Sequence, residues 1–236
     1  MRHRIALHIF TSRVHDDLQD LQDVVDLAEG HLKAEAKRLE NRVSEELRKI
    51  TEKDEREFAI GWYTDDFVRL DRVYPNIQRR ALFLTLMCMA EADLLLACEM
   101  CRRAFEIPKA FKKKGNVRTI VQAMSYLQEH LTIRERPLRP HWDYVQGLWS
   151  IRNAIVHNDG IPKPSELDEV TKFCAPIPTL EMDHHNRIIF KEGSVEIVRH
   201  CVGLFFSRLI YEIKRNKLPD QNRRRREEPV GVKKNQ

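Results

Sequence analysis

Apolar spacing limits this chain more than any other feature. Val14, Leu18, Leu21, Val25, Ala28 and Leu32 recur four and three residues apart, and after one slip Ala36, Leu39, Val43, Leu47 and Ile50 continue the stripe. An α-helix puts residues at this spacing on one face, so it predicts one long amphipathic helix, or two in line, with dense charge outside. Gly30 weakens its middle and is where a break between two helices would fall, because glycine inside a helix costs about 1 kcal/mol relative to alanine. Such a helix can pack on its own domain or act as an arm that meets another chain.

The same period continues downstream. Thr51 to Glu57 is charged and is expected to turn the chain, with a further helix over Phe58 to Val73. Proline suits the first turn of a helix, so Tyr74-Pro75-Asn76 is expected to open a long apolar helix ending near Phe105. Glu106 to Asn116 reads as a basic connector with Lys112, Lys113 and Lys114. Val117, Ile120, Val121, Met124, Leu127 and Leu131 form the next helical stripe. Thr132 to Pro140, with Pro137, Pro140, Arg134, Arg136 and Arg139, is expected to be a second basic loop.

His141 to His157 then reads as a helix with Trp142, Val145, Leu148, Trp149 and Val156 on its apolar side. Asn158-Asp159-Gly160 ends it, asparagine and glycine being suited to left-handed cap geometry. Ile161 to Pro178 carries four prolines and is expected to be irregular. Leu180 to Phe190 is expected to hold a short hairpin around His184-His185-Asn186, and Ser194 to cap a final helix. The inner side of that helix is Val195, Val198, Cys201, Val202, Phe205, Leu209 and Ile213. The fold class is therefore all-α: a helical bundle with a long N-terminal amphipathic arm and a small β-hairpin before the last helix. It divides into a helical arm over 1–73, a helical core over 74–216 and a basic, disordered tail over 217–236.

Only eight glycines occur, which argues against a turn-rich β fold and a glycine-rich nucleotide fold. The most apolar run, Ala81 to Ala97, contains Glu91 and Asp93 and reads as a buried core helix, not a membrane span. The first ten residues lack the length and cleavage site of a secretory signal. A cytoplasmic protein without a membrane partner is expected. The five cysteines, an odd count mostly within apolar helices, suggest reduced thiols. Cys98 and Cys101 form a lone C-x-x-C, and His184-His185 beside Asp183 lacks a second ligand group, so neither a metal nor a cofactor is expected. From Lys214 to the end the net charge is +6 of the chain's +5, leaving the body at about −1. A nucleic-acid footprint must then be a local patch or the tail.

One run carries chemistry. Arg152-Asn153-Ala154-Ile155-Val156-His157 ends a helix, where arginine and histidine also suit the negative dipole end. Asn153 and His157 are four apart and share a face, whereas Arg152 lies roughly 140° round from His157 at about 100° per residue. One straight helix does not aim both at one atom; a cap distortion or a second copy of the helix would.

The run Trp149-Ser150-Ile151-Arg152-Asn153-Ala154-Ile155-Val156-His157-Asn158-Asp159-Gly160 resembles the signature of HEPN domains, an arginine followed after four to six residues by histidine, often with a polar residue after the arginine. The helix order resembles theirs too, over Tyr74 to Asn216, with Ala90-Glu91-Ala92-Asp93-Leu94 on the first apolar helix. The resemblance implies a HEPN-like core and a metal-independent endoribonuclease acting as a homodimer, with its cleft between two motif helices. His157 would be general base or acid, Arg152 would fork onto phosphate, and Asn153 would orient His157 or bind phosphate. Glu91 matches an acidic position sometimes seen in the family and would hold Arg152 or tune His157. Lys112, Lys113, Lys114, Arg134, Arg136 and Arg139 are candidates to guide RNA phosphates, and are equally read as solvated charge. The resemblance further implies a toxin or phage-defence effector, with an antitoxin or regulatory protein as partner. The alternatives are a non-catalytic HEPN-like module that dimerises or binds a nucleotide or partner, and a helical scaffold built on residues 14–50.

Overall fold

The computed structural model describes residues 2–115 and 117–216, with side chains from Leu7 onward; the basic tail expected over 217–236 lies outside the described residues. The fold is all-α. Helix α1 (Arg2–Leu47) is a single helix of 46 residues. Gly30 does not break it, because ion pairs hold the helix on either side: Arg79 forks onto Glu29 at 2.6 and 2.7 Å, and Lys33 meets Glu192 at 2.6 Å. Leu7, Phe10, Val14, Leu18, Leu21 and Val25 are buried in the main core. Beyond Val25 the helix leaves that core and runs beside α2 (Lys53–Val68), with Leu39 and Val43 buried.

Helix α2 begins at Lys53, earlier than the charged composition suggested, and buries none of its residues. A π turn (Arg69–Val73) joins it without interruption to α3 (Tyr74–Ala104). Pro75 has no N–H to donate back along the helix, and the turn before it widens so that the Tyr74 N–H reaches Arg69 O, five residues back. Pro75 thus sits inside a continuous helical run instead of opening one. That run, Lys53–Ala104, contains a stretch apolar and long enough by composition to cross a membrane. Within it Phe83, Leu86, Met87, Ala90, Leu94 and Ala97 form the centre of the core.

Helix α4 (Thr119–His130) buries Ile120, Ala123, Met124, Tyr126 and Leu127, while Val117 stays exposed. Helix α5 (Glu135–Asn158) starts six residues before His141, so most of the expected basic loop is helical. Pro137 falls in its first turn, where N–H groups have no intrahelical acceptor, and Pro140 is accommodated close to that exposed start. The expected irregular segment contains α6 (Leu167–Cys174), a two-turn helix placed between the two proline pairs that buries Val170 and Cys174. Its Phe173 packs on Gly147 of α5, where a Cβ would lie 2.3 Å from the ring.

Strands β1 (Leu180–Met182) and β2 (Ile188–Phe190) form an antiparallel hairpin with Leu180 opposite Phe190. Its docking on α3 is specific: the Phe190 N–H donates to Asn76 Oδ1 at 2.9 Å, Arg79 Nη1 donates to Phe190 O at 3.3 Å, and the Phe83 and Phe190 rings lie 5.1 Å apart. Helix α7 (Ser194–Arg215) lays Val195, Val198, Val202, Phe205, Leu209 and Ile213 into the core. Ser194 is its first residue, not its cap. Gly193 takes the cap position at φ 80°, and the Ser194 hydroxyl is buried without a partner among the described residues. Cys98 and Cys101 are buried, burial pushes both thiols up to about 12, and Cys98 Sγ donates to Ala123 O at 3.5 Å.

Candidate active site

The last turns of α5 carry the Arg-Asn-x-x-x-His run. The inner face of α5 is Val145, Leu148, Trp149, Ile151, Ala154 and Ile155. Val156, expected inside, is 45% exposed because the 100° step carries it past Ile155 into solvent. His157 beside it is exposed, and among the described residues it has no hydrogen-bond or ion-pair partner.

Arg152 and Asn153 are half-buried. Arg152 Nη1 donates to Asn153 Oδ1 at 3.2 Å, and its guanidinium lies 5.4 Å from the Trp149 ring centroid. Stacking on a buried indole restricts the long side chain, and the bond to Asn153 turns it toward the residue that shares a face with His157. The spacing between Arg152 and His157 is thus partly bridged through Asn153. Glu91 is half-buried on α3 and pairs with no described residue, so it does not hold Arg152 in this chain.

The chain leaves α5 through a left-handed cap, shifted one residue from the expected one. Asn158 is still helical, while Asp159 takes φ 51° and Gly160 φ 85°. The Asp159 and Gly160 N–H groups both return to Ala154 O, the latter at 2.9 Å, and so satisfy a carbonyl left over at the helix end. The Ile188 N–H donates to Gly160 O at 2.9 Å, which fastens β2 to the end of α5. Asp159 accepts from Arg80 Nη2 of α3 at 2.9 Å and pairs with Arg187 Nη2 of the hairpin at 3.2 Å. Sequence reading missed both arginines. They are 79 and 28 residues from Asp159, and no local pattern links them.

The hairpin turn fixes Arg187. The backbone N–H groups of Arg187 and His185 both donate to Asp183 Oδ1 at 2.8 Å, and Asn186 takes φ 60°. Burial pushes the Asp183 carboxyl up, but those two N–H bonds outweigh it and hold the group below its ordinary value.

The basic candidates lie elsewhere. Helix α5 has 24 residues and spans about 36 Å, and Arg134, Arg136 and Arg139 sit at its start. Arg139 and His157 are about 27 Å apart along the axis. Arg134 is committed to Glu212 of α7, through Nε at 3.1 Å and Nη2 at 3.0 Å. Arg139 lies near Glu135 and Asp143 at 3.8 and 3.7 Å, and Arg136 is exposed. Lys112, Lys113 and Lys114 are exposed after the end of α3 opposite Arg80. Neither of two cavities of about 530 and 500 Å³, one between α1 and α7 and one at the π turn, is lined by a residue of the Arg152–His157 run. Compared with family models, curated proteins and solved structures, the chain matches none.

Proposed function

We propose that the protein is a metal-independent endoribonuclease of the HEPN type, acting in the cytoplasm as a homodimer with a composite site. The observation that carries this reading is the state of the motif: an exposed His157, without a partner among the described residues, on the face of Asn153, with Arg152 turned onto Asn153 and steadied by Trp149.

RNA supplies its own nucleophile. One His157 ring takes the proton from a 2′-hydroxyl, the oxygen attacks the adjacent phosphorus, and the bond to the 5′ oxygen breaks. A protonated His157 gives its proton to that leaving oxygen. Arg152 faces the charge that gathers on the non-bridging oxygens. The products are a 2′,3′-cyclic phosphate and a 5′-hydroxyl. One ring does not accept and donate at once, so two copies of His157 across a two-fold axis divide the roles. The exposed Val156 beside His157 offers apolar surface for that contact.

In a toxin or phage-defence setting, a protein antitoxin or regulator would hold such a nuclease in check. Helix α2, with Phe58 and Trp62 exposed and their rings 5.9 Å apart, is where it would seat. The second reading, a non-catalytic dimerising or binding module, is favoured by the Arg152 stacking and hydrogen bond, which also serve a purely structural helix end.

The test is incubation of the purified protein with mixed single-stranded RNA in EDTA, beside an Arg152→Ala/His157→Ala variant. Cleavage to cyclic-phosphate ends by wild type alone is expected. No cleavage by a folded, dimeric wild type moves the assignment to the binding module.

A further inference from the structure

Asp159 is out of place by local rules. A carboxylate at a helix C-terminus meets the negative end of the dipole, and a non-glycine residue at positive φ is uncommon. Two cations from distant elements compensate, one on each oxygen: Arg80 on Oδ1 and Arg187 on Oδ2. Two positive charges against one negative leave one unspent. Each guanidinium carries five N–H donors, and among the described residues each side chain gives a hydrogen bond or ion pair to Asp159 only.

The two arginines differ in access. The Arg80 side chain is 12% exposed, and its guanidinium packs over Gly160, where a Cβ would lie 3.1 Å from Nη2. The Arg187 side chain is 42% exposed, while its backbone is fixed by the Asp183 turn and by the bond from Ile188 to Gly160. Arg187 is thus a guanidinium held on a rigid mount, with Nε buried, Nη2 on Asp159 and the side chain partly open to solvent, beside a carboxylate two residues beyond His157. The other basic candidates stand at the far end of α5 and α3.

We propose that Arg187, held by Asp159 with Arg80 behind it, binds a phosphodiester of the RNA strand next to the one that His157 attacks. This rests on the ribonuclease reading. A guanidinium matches two phosphate oxygens with two N–H donors. Asp159 does not cancel the site, because it is one carboxylate against two guanidiniums, while an oxygen of the Asp183 carboxylate is taken by the backbone N–H groups of His185 and Arg187. Arg80 and Asp159 are positioning residues; Arg187 touches the substrate.

The experiment measures binding apart from cleavage. The His157→Ala protein is titrated with a fluorescent single-stranded RNA at several salt concentrations, with and without Arg187→Ala. The arginine variant is expected to raise Kd about ten-fold and to flatten the slope of log Kd against log salt by about 0.7, the loss of one phosphate contact to a single strand. Arg187→Lys should restore the slope and part of the affinity. An unchanged melting temperature separates this from misfolding. Kd and slope unaltered by Arg187→Ala overturn the proposal, and so does a folded protein that binds no RNA. Binding that depends on Arg187 in a protein whose wild type cleaves nothing keeps the phosphate contact and removes the ribonuclease reading. Cleavage indifferent to Arg187 does the reverse.

Discussion

Both ends of α5 are finished by arginines gathered on a carboxylate, and the two clusters are built in opposite ways. At the start, Glu212 of α7 is fully buried and takes Arg134, Arg208 and Arg215 at 3.0, 2.7 and 3.5 Å. At the finish, Asp159 is 67% exposed and takes Arg80 and Arg187. In the first the acid lies inside and the cations close over it, so its oxygens are spent on fixing α5 to α7. In the second the acid and one cation face solvent beside the motif, so some hydrogen-bonding capacity stays open to a ligand. Similar chemistry gives cohesion where it is covered and leaves donors open where it is not.

That contrast can be broken by four changes, taken from the largest expected effect. His157→Ala should cut RNA cleavage by about 10²- to 10⁴-fold, while its melting temperature stays with wild type because the ring touches no described partner. Equal loss of stability and activity would put the exposed end in the cohesive class. Glu212→Ala should do the opposite, costing about 3 kcal/mol in urea unfolding by stripping three arginines of their acceptor. The hydrogen bonds from Arg134 hold the Glu212 carboxyl below its ordinary value. Its contribution is therefore present above the ordinary glutamate range and lost as pH falls through the lower folded value. Urea melts at neutral and acid pH check this.

A third carboxylate sharpens the comparison. Asp93 on α3 is as buried as Glu212, but its nearest cation is Arg13 of α1 at 3.8 Å, and Asp17 stands close by. Burial first, then the Asp17 charge, push its carboxyl from 3.8 up to about 6. The folded state therefore holds this proton more tightly than the unfolded one, and stability falls as pH rises between those values. Asp93→Asn should stabilise the protein by up to about 3 kcal/mol above pH 6 and lose that advantage in acid. A gain that is equal at all pH values would discount the carboxylate. The smallest effect belongs to Arg139→Ala. Its exposed pairs at 3.8 and 3.7 Å should be worth less than about 1 kcal/mol in thermal unfolding.

Much of the helical layout was legible in the chain because burial on a helix repeats with a fixed period. Six of the seven residues expected on the inner face of α7 are buried, Cys201 being half-buried, but Phe206, Ile210 and Glu212 are buried there too and were not anticipated; the hairpin fell where its strand residues pointed. Prolines misled three times. They hid the start of α5, concealed α6, and suggested a beginning at Pro75 where a π turn carries the helix through. Proline costs a helix only where its missing N–H would have had an acceptor. In a first turn, at a π turn or in the links either side of α6, that bond is not required or is rerouted.

The candidate site divides along the same line. Arg152, Asn153 and His157 lie within six residues, so their resemblance to the HEPN signature could be read along the chain and made them the candidate. Which of them would be exposed depended on the packing of Ile155 and Trp149, and the cap fell on Asp159 because arginines from α3 and the hairpin were there to hold it. Local spacing is fixed by the geometry of one helix. Arg80 and Arg187 reach Asp159 only after α3, the hairpin and α5 have packed, and no local pattern along the chain announces that meeting.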